Sequence, residues 1–282
     1  MNAEQQIIEI LACLRVPAEM RAPQRERILQ TDGIAALCSA LNDADLAAAR
    51  KEAQRNLLQW QANGYSIVPI VAAEYPKLLL DLLKPPPLLF IEGKAFPYGP
   101  IVSIVGAKNP SPLDIQAAKD ITKLLAQDGI PIVSGFTTDT DLAVHRATLD
   151  AKGHPIAIMP SGLDDWSPKK NAGLRRRIQR NGTICSRFYP DQEKTEHTYG
   201  MPEIVAAGIS STTIIINCDE YSSVRVQARA AREHSRGLIL TPGVARNTTW
   251  GRLLAQHNLV SIAENPRHAA ELAQTLCKQT PR

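Results

Sequence analysis

The chain is poor in the features that assign function at sight. Its 282 residues contain only five cysteines, at positions 13, 38, 185, 218 and 277. None forms a C-x-x-C pair and none joins a histidine at zinc-ligand spacing. Reduced, buried thiols are expected, with neither a disulfide framework nor a structural metal. No apolar run approaches the roughly 20 residues that cross a bilayer. The start carries Glu4 and Glu9 in place of the basic opening and small-residue cleavage site of a secretory leader. These lacks point to a cytoplasmic protein with no membrane partner. Aromatics make up only 5% of the chain. The glycine fingerprint of dinucleotide sites, G-x-G-x-x-G, is missing, and so is the phosphate-loop lysine motif. That disfavours a conventional nucleotide cofactor, and none is expected. No serine or cysteine sits in a recognisable nucleophile elbow.

Charge is modest: 32 basic against 28 acidic side chains, a net +4. The first hundred residues are close to neutral, so the excess lies beyond them. An anionic partner for the later part is permitted, not required.

What is present is a change of rhythm along the chain. Residues 1–62 hold no convincing strand, and apolar residues recur there at helical spacing, broken by Pro17, Pro23 and Gly33. A small helical domain is expected. Residues 63–97 read as an extended connector. A strand is possible near 65–71, then three prolines at 85–87 lead into a short edge strand at 88–91. From residue 98, short apolar runs at 101–105, 130–133, 156–159, 213–216, 238–240 and 259–262 alternate with helical stretches at 114–127, 141–151, 168–180, 224–234 and 250–257, and a helix over 267–278 closes the chain. Unbroken apolar runs suit strands buried on both faces. Their alternation with helices predicts an α/β, Rossmann-like, mostly parallel sheet covered on both faces.

Four of these runs end in glycine turns: at Gly106, at Ser134-Gly135, at Ser161-Gly162 and at Gly243. In a parallel sheet they share the carboxyl edge, where open α/β sheets bind ligands. Glycine lets a ligand approach the backbone, and the following helix N-terminus offers N–H groups to an anion. Lys108 stands two residues past the first glycine. Cations crowd two helices: Lys169, Lys170 and Arg176 among others in the first, and Arg225, Arg229, Arg232 and Arg236 along one face of the second. These are the candidate DNA- or anion-binding residues, although a solvated face is the plain alternative. Ser222 and Ser223 precede the second helix as caps or anion ligands. Trp166, Phe188 and Tyr189 flank the first, as stacking groups or as core. Asp141 and His145 share a helix face one turn apart. They read as a structural pair locking the turn after the second strand, not as a catalytic dyad; no catalytic residue and no metal ligand is assigned.

Several segments, in order, resemble the DprA/Smf (DNA-processing protein A) family. They are the Tyr-Pro, leucine, proline and glycine series of 75–93, Val-Ser-Ile-Val-Gly-Ala-Lys at 102–108, Val-Ser-Gly-Phe-Thr-Thr-Asp-Thr-Asp-Leu-Ala-Val-His at 133–145, Ser-Gly-Leu-Asp at 161–164 with Pro168, Ala-Gly-Ile-Ser at 207–210, and Thr-Pro-Gly at 241–243. The resemblance spans about 63–262. It implies a Rossmann-like domain that binds single-stranded DNA in its glycine-lined cleft, forms a homodimer and helps load the recombinase RecA in natural transformation, without being an enzyme. Residues 1–62 resemble the family's N-terminal helical domain, of SAM or helix–hairpin–helix type. The C-terminal winged helix common in the family is not expected here.

The chain also departs from the family pattern. Ala107-Lys108 replaces Ser-Arg. Thr137, Thr138, Asp139, Thr140 and Asp141 replace Ala-Arg-Gly-Ile-Asp. Pro202, Glu203 and Ile204 replace Arg-Asn-Arg. Asn217-Cys218 replaces Glu-Ala, and Ser222-Ser223-Val224 replaces Ser-Gly-Ser. Together these weaken phosphate binding in the family's pocket. Two other readings therefore stay open: an antitoxin or regulatory component of a phage-defence pair whose partner is a toxin, and a nucleotide enzyme using Asp141 and His145.

Overall fold

The computed structural model describes residues 1–16, 20–165 and 171–279. It opens with four helices: α1 (Ala3–Arg15), α2 (Ala22–Thr31), α3 (Gly33–Ser39) and α4 (Asp43–Ala62). A hairpin follows, β1 (Tyr65–Pro69) and β2 (Leu88–Gly93), its connection holding a short 3-10 turn, Lys77–Asp81. Then come β3 (Val102–Val105), α5 (Pro112–Gln127), β4 (Ile132–Ser134), α6 (Asp139–Asp150), β5 (Pro155–Ile158), α7 (Ala172–Asn181) and β6 (Thr183–Ser186). The last part comprises α8 (Met201–Ile209), β7 (Thr212–Ile215), α9 (Val224–Glu233), β8 (Gly237–Leu240), α10 (Pro242–Asn247), α11 (Thr249–Leu254), β9 (Val260–Ile262) and α12 (Pro266–Gln279).

All nine strands form one sheet in the order β1-β2-β6-β5-β4-β3-β7-β8-β9. From β6 to β9 every pairing is parallel, and β1 and β2 add antiparallel beyond β6. The chain winds outward from β3 through β4, β5 and β6, then returns to the other side of β3 and winds outward again through β7, β8 and β9. The order reverses beside β3, so a crevice opens between the loops that leave β3 and β7.

The sequence places the other parallel strands and most of their helices but misses three elements, β6, α8 and α10. Strand β6 is only Thr-Ile-Cys-Ser, too short and too polar to stand out as an apolar run, yet all four residues are buried in the sheet. Helix α8 opens at Met201, directly after a left-handed Gly200, with Pro202 in its first turn. The edge-strand reading of 88–91 needs correction: β2 is flanked on both sides, by β1 and β6, and β1 is the edge.

The four helices are not a free-standing bundle. Ile7, Ile10 and Leu11 of α1 meet Leu46, Ala53, Leu57 and Trp60 of α4, and the same core runs on through Leu89 and Phe90 of β2 to Ile156 and Ile184. Trp60 meets Phe90 edge-on at 5.2 Å and stacks on Tyr189 at 6.1 Å, with the Arg15 guanidinium 4.9 Å over the tyrosine ring. Buried Arg25 reaches the carbonyls of Cys13, Leu14, Val16 and Met20, satisfying the open end of α1. A second core, on the other half of the sheet, joins β3, β7 and β8 to α5 and α12. No helix among the described residues is long and apolar enough to cross a membrane.

Candidate functional site

A cleft of about 450 Å³ opens at the switch point. Its floor is the turn after β3, with Gly106, Ala107 and Lys108, and the turn after β4, with Gly135, Phe136, Thr137 and Thr138. One wall is the start of α8 with Tyr199, Gly200, Pro202 and Glu203; the other is the loop after β7 with Asp219, Tyr221, Ser222 and Ser223.

The floor is rigid because side chains from neighbouring elements tie it down. Asn217 accepts the Ala107 N–H at 3.1 Å and fills the place a Cβ on Gly106 would take, only 2.3 Å away. Asp141, at the start of α6, accepts hydrogen bonds from Ser134 Oγ at 3.0 Å, Thr137 N at 3.0 Å and Thr138 N at 2.9 Å. His145 Nε2 meets the Gly135 carbonyl at 2.7 Å and is fully buried. Burial pushes its pKa down, so the ring is neutral, with Nε2–H as donor to that carbonyl. Asp141 and His145 thus hold opposite ends of one turn, each through its own partners.

The glycine turns have a different cause from the one the sequence suggested. A Cβ on Gly135 would lie 2.8 Å from Asp141 Oδ2, and one on Gly162 would lie 2.1 Å from the Tyr189 carbonyl oxygen and 2.3 Å from that of Pro190. At Gly106, Gly135 and Gly162 the protein's own atoms occupy the space, not an approaching ligand. Gly162→Ala should therefore cost about 1–3 kcal/mol through overpacking against backbone, read as a lower urea midpoint at unchanged m-value.

The predicted residues divide accordingly. Gly106, Lys108, Gly135 and Asp141 line the cleft. Ser134 lies beneath it, its hydroxyl spent on the Ile104 carbonyl and Asp141. Ser161 is buried and bonded to the Asp165 carbonyl, and Gly162 packs on the 189–190 backbone; neither lines the cleft. Gly243 sits in the first turn of α10, away from the cleft lining. Arg176 borders a separate shallow hollow with Tyr65, Glu92 and Asp164. Lys169, Lys170 and Trp166 lie outside the described residues.

The arginine stripe is also outside the cleft. Arg225, Arg229 and Arg232 are exposed on α9, whose inner face is Val224, Gln227, Ala228 and Ala231. Arg229 pairs with Glu233 at 2.7 Å, and Arg225 donates to the Glu220 carbonyl at 2.7 Å. Arg236 lies beyond the helix and donates to the Leu78 carbonyl and Asp81. Phe188 and Tyr189 belong to the core.

Sequence reasoning passed over three cleft residues. Tyr199 and Tyr221 stand exposed at the two walls, and Lys194 adds a second cation to Lys108. Their signal was weak, because each sits in a loop with no periodicity. Opposing the lysines is Glu203. Burial, and to a smaller degree Asp141, pushes its carboxyl above the usual range, although the Ser223 hydroxyl and nearby Lys194 favour the charged form. Ser222 Oγ accepts the Val224 N–H at 3.3 Å in the turn before α9, whose N-cap residue Ser223 makes no side-chain capping bond. Among the described residues the His, Cys, Asp and Glu side chains that converge closely enough for a metal are Glu9, Cys13 and Cys38, in the helical region and not in the cleft.

A doubly wound sheet with a cleft at its switch point, lined by lysines, tyrosines and backbone turns, defines a Rossmann-like α/β protein. The sequence profile of DNA recombination-mediator protein A matches residues 66–272. The chain belongs to that family. Among curated relatives it is 27% identical over 191 residues to the DNA processing protein DprA of Bacillus subtilis (strain 168), covering 67% of this chain and 64% of that one. It is 25% identical over 200 residues to the protein Smf of Escherichia coli (strain K12), covering 70% and 54%. The matches thus span roughly half to two thirds of those relatives' lengths. The fold is that of DNA processing protein A from Streptococcus pneumoniae, with a TM-score of 0.70 at 21% identity over 95% of this chain and 93% of that one. The Helicobacter pylori protein, solved for its single-stranded DNA binding mode, gives 0.66 at 23% identity over 77% and 97%.

Proposed function

We propose that this protein binds single-stranded DNA in the switch-point cleft and acts in DNA processing and recombination as a binding protein, not a catalyst. The cleft carries the reading. It pairs two exposed lysines for phosphate with two exposed tyrosines for base stacking, over a floor of fixed backbone turns. The family membership and the DNA-binding relative from H. pylori support it. Asp141 and His145 are consumed in holding the floor, each through its own backbone partners, so the two do not act together as an acid–base dyad. Assistance to a RecA-type recombinase and self-association follow from the same family reading and are part of the proposal.

Fluorescence anisotropy of a labelled oligonucleotide at two salt concentrations tests it. Binding that weakens steeply with salt is the expected result; no binding at low salt would sink it.

Glu203 gives the cleft a pH signature. Its carboxylate opposes phosphate, and its raised pKa means that it takes up a proton earlier than an ordinary glutamate as pH falls. Affinity should therefore rise as pH drops from neutral. Glu203→Gln should tighten binding roughly fivefold at neutral pH, the worth of about 1 kcal/mol between charges near 4 Å in water. It should also flatten that pH dependence. Identical pH profiles for the variant and the wild type would remove Glu203 from the ligand's path.

A further inference from the structure

Two cysteines that the sequence holds 25 positions apart meet in the helical region. Cys13 of α1 and Cys38 of α3 place their sulfurs 3.0 Å apart. Cys13 is fully buried, whereas Cys38 is partly exposed. Glu9, one turn before Cys13, accepts from the Cys38 thiol at 3.4 Å. Its two carboxylate oxygens are held by Arg50 Nε of α4 at 2.9 and 3.0 Å. The other cysteines, Cys185, Cys218 and Cys277, have no thiol partner among the described residues.

We propose that Cys13 and Cys38 are a redox-active pair that closes to a disulfide, joining α1 to α3. The geometry favours this over a metal site. A disulfide needs the sulfurs at about 2.05 Å, a closure of roughly 1 Å from where they stand. A tetrahedral zinc with two thiolates at about 2.3 Å would hold the sulfurs roughly 3.8 Å apart, which forces them away from each other. Metal binding would also recruit Glu9, whose carboxylate is already committed to Arg50. Disulfide formation leaves that ion pair undisturbed.

The oxidant is a low-molecular-weight disulfide of the glutathione class. The partly exposed Cys38 is the entry point. Its thiol gives up a proton to solvent, and the thiolate attacks one sulfur of the oxidant. One small thiolate leaves and a mixed disulfide forms on Cys38. The Cys13 thiol then passes its proton to solvent and its thiolate attacks the Cys38 sulfur, and the second small thiolate departs; each released thiolate takes up a proton. Two cysteine thiols lose two electrons and two protons, and the oxidant becomes two thiols. Burial raises the pKa of both cysteines, so the thiolates are scarce and the exchange is slow.

The cross-link has a structural consequence beyond its own loop. Helix α1 also packs on α4 and β1, and its terminal Arg15 covers Tyr189. A chain closed between residues 13 and 38 loses much of the freedom that the unfolded helical region would otherwise gain.

The test uses the full chain, equilibrated in buffers of increasing oxidised to reduced glutathione, quenched in acid, alkylated under denaturing conditions and mapped by mass spectrometry. The expected result is joint loss of alkylation at Cys13 and Cys38, with a cross-linked peptide joining them. Cys185, Cys218 and Cys277 should stay fully alkylated. The oxidised protein should melt several degrees above the reduced one, and Cys13→Ser or Cys38→Ser should each abolish that difference. Full alkylation of both cysteines in the most oxidising buffer overturns the proposal. So does a stable glutathione adduct on Cys38 alone, or one zinc per chain that Cys13→Ser removes. The wild-type peptide map decides the question even where a serine variant fails to fold.

Discussion

Asp141→Ala is expected to destabilise the protein by about 3–4 kcal/mol while leaving the cleft's lysines in place. The carboxylate is 4% exposed and takes hydrogen bonds from the Thr137 and Thr138 backbone and from Ser134 Oγ. Alanine strands these donors in a turn whose other face is core, at roughly 1–3 kcal/mol for each group left unsatisfied and less where cleft water reaches it. The change also removes the acidic partner of the capping box with Thr138 at the positive end of α6. Asp141→Asn keeps one acceptor oxygen but turns an amide NH2 toward donors, so it should recover little. Urea unfolding reads both variants directly; a loss below about 1 kcal/mol for Asp141→Ala would mean that the turn holds without it. His145 adds a pH dependence to the same turn. Its folded pKa lies below its unfolded value, so the unfolded chain takes up the proton first. Stability should therefore decline as pH falls below about 6.5, the ordinary histidine value.

How far the sequence could be read depends on where each signal resides. Parallel strands buried on both faces announce themselves as apolar runs, so β3, β4, β5, β7 and β8 were legible; β9 was legible as an apolar run too, although it is an edge strand that is only partly buried. Strand β6 was hidden because its neighbours supply the burial that its own Thr and Ser do not advertise. Helices α5 and α6 begin two residues earlier than the apolar pattern suggests. Ser111-Pro112-x-Asp114 and Thr138-x-x-Asp141 are capping boxes, and a cap is polar by nature. The carboxyl-edge location of the site followed from topology alone. Of its cations, Lys108 was legible beside the first glycine and Lys194 was not. The arginines of α9 do share one face, but α9 turns its apolar face to the sheet, so the stripe meets solvent outside the cleft. Of the four glycine turns, those at Gly106 and Gly135 lie at the cleft and those at Gly162 and Gly243 do not, and close approach of Asn217, Asp141 and the 189–190 backbone is what Gly106, Gly135 and Gly162 accommodate. The Cys13–Cys38 contact was invisible because residues 25 apart meet only once α1 and α3 are packed.

That contrast between stripe and cleft sets the second large expected effect. The double variant Lys108→Ala/Lys194→Ala should weaken single-stranded DNA binding roughly 25-fold at 0.1 M salt. Each phosphate contact on a single strand contributes about 0.7 to the slope of log K against log salt, so two contacts are worth about 1.4 log units at that concentration. The same arithmetic predicts that the slope itself becomes shallower by about 1.4 and that the two proteins converge as salt approaches 1 M. Both side chains are exposed, so the fold should be untouched and the melting temperature unchanged. Arg225→Ala/Arg229→Ala is the matched control. It also removes two cations, but from a face that does not line the cleft, where Arg229 already pairs with Glu233 and Arg225 with the Glu220 carbonyl. If DNA follows the cleft, this control changes the slope little. If instead the arginine variant carries the loss and the lysine variant does not, the strand runs over the outer surface of α9 and the switch-point cleft has another occupant.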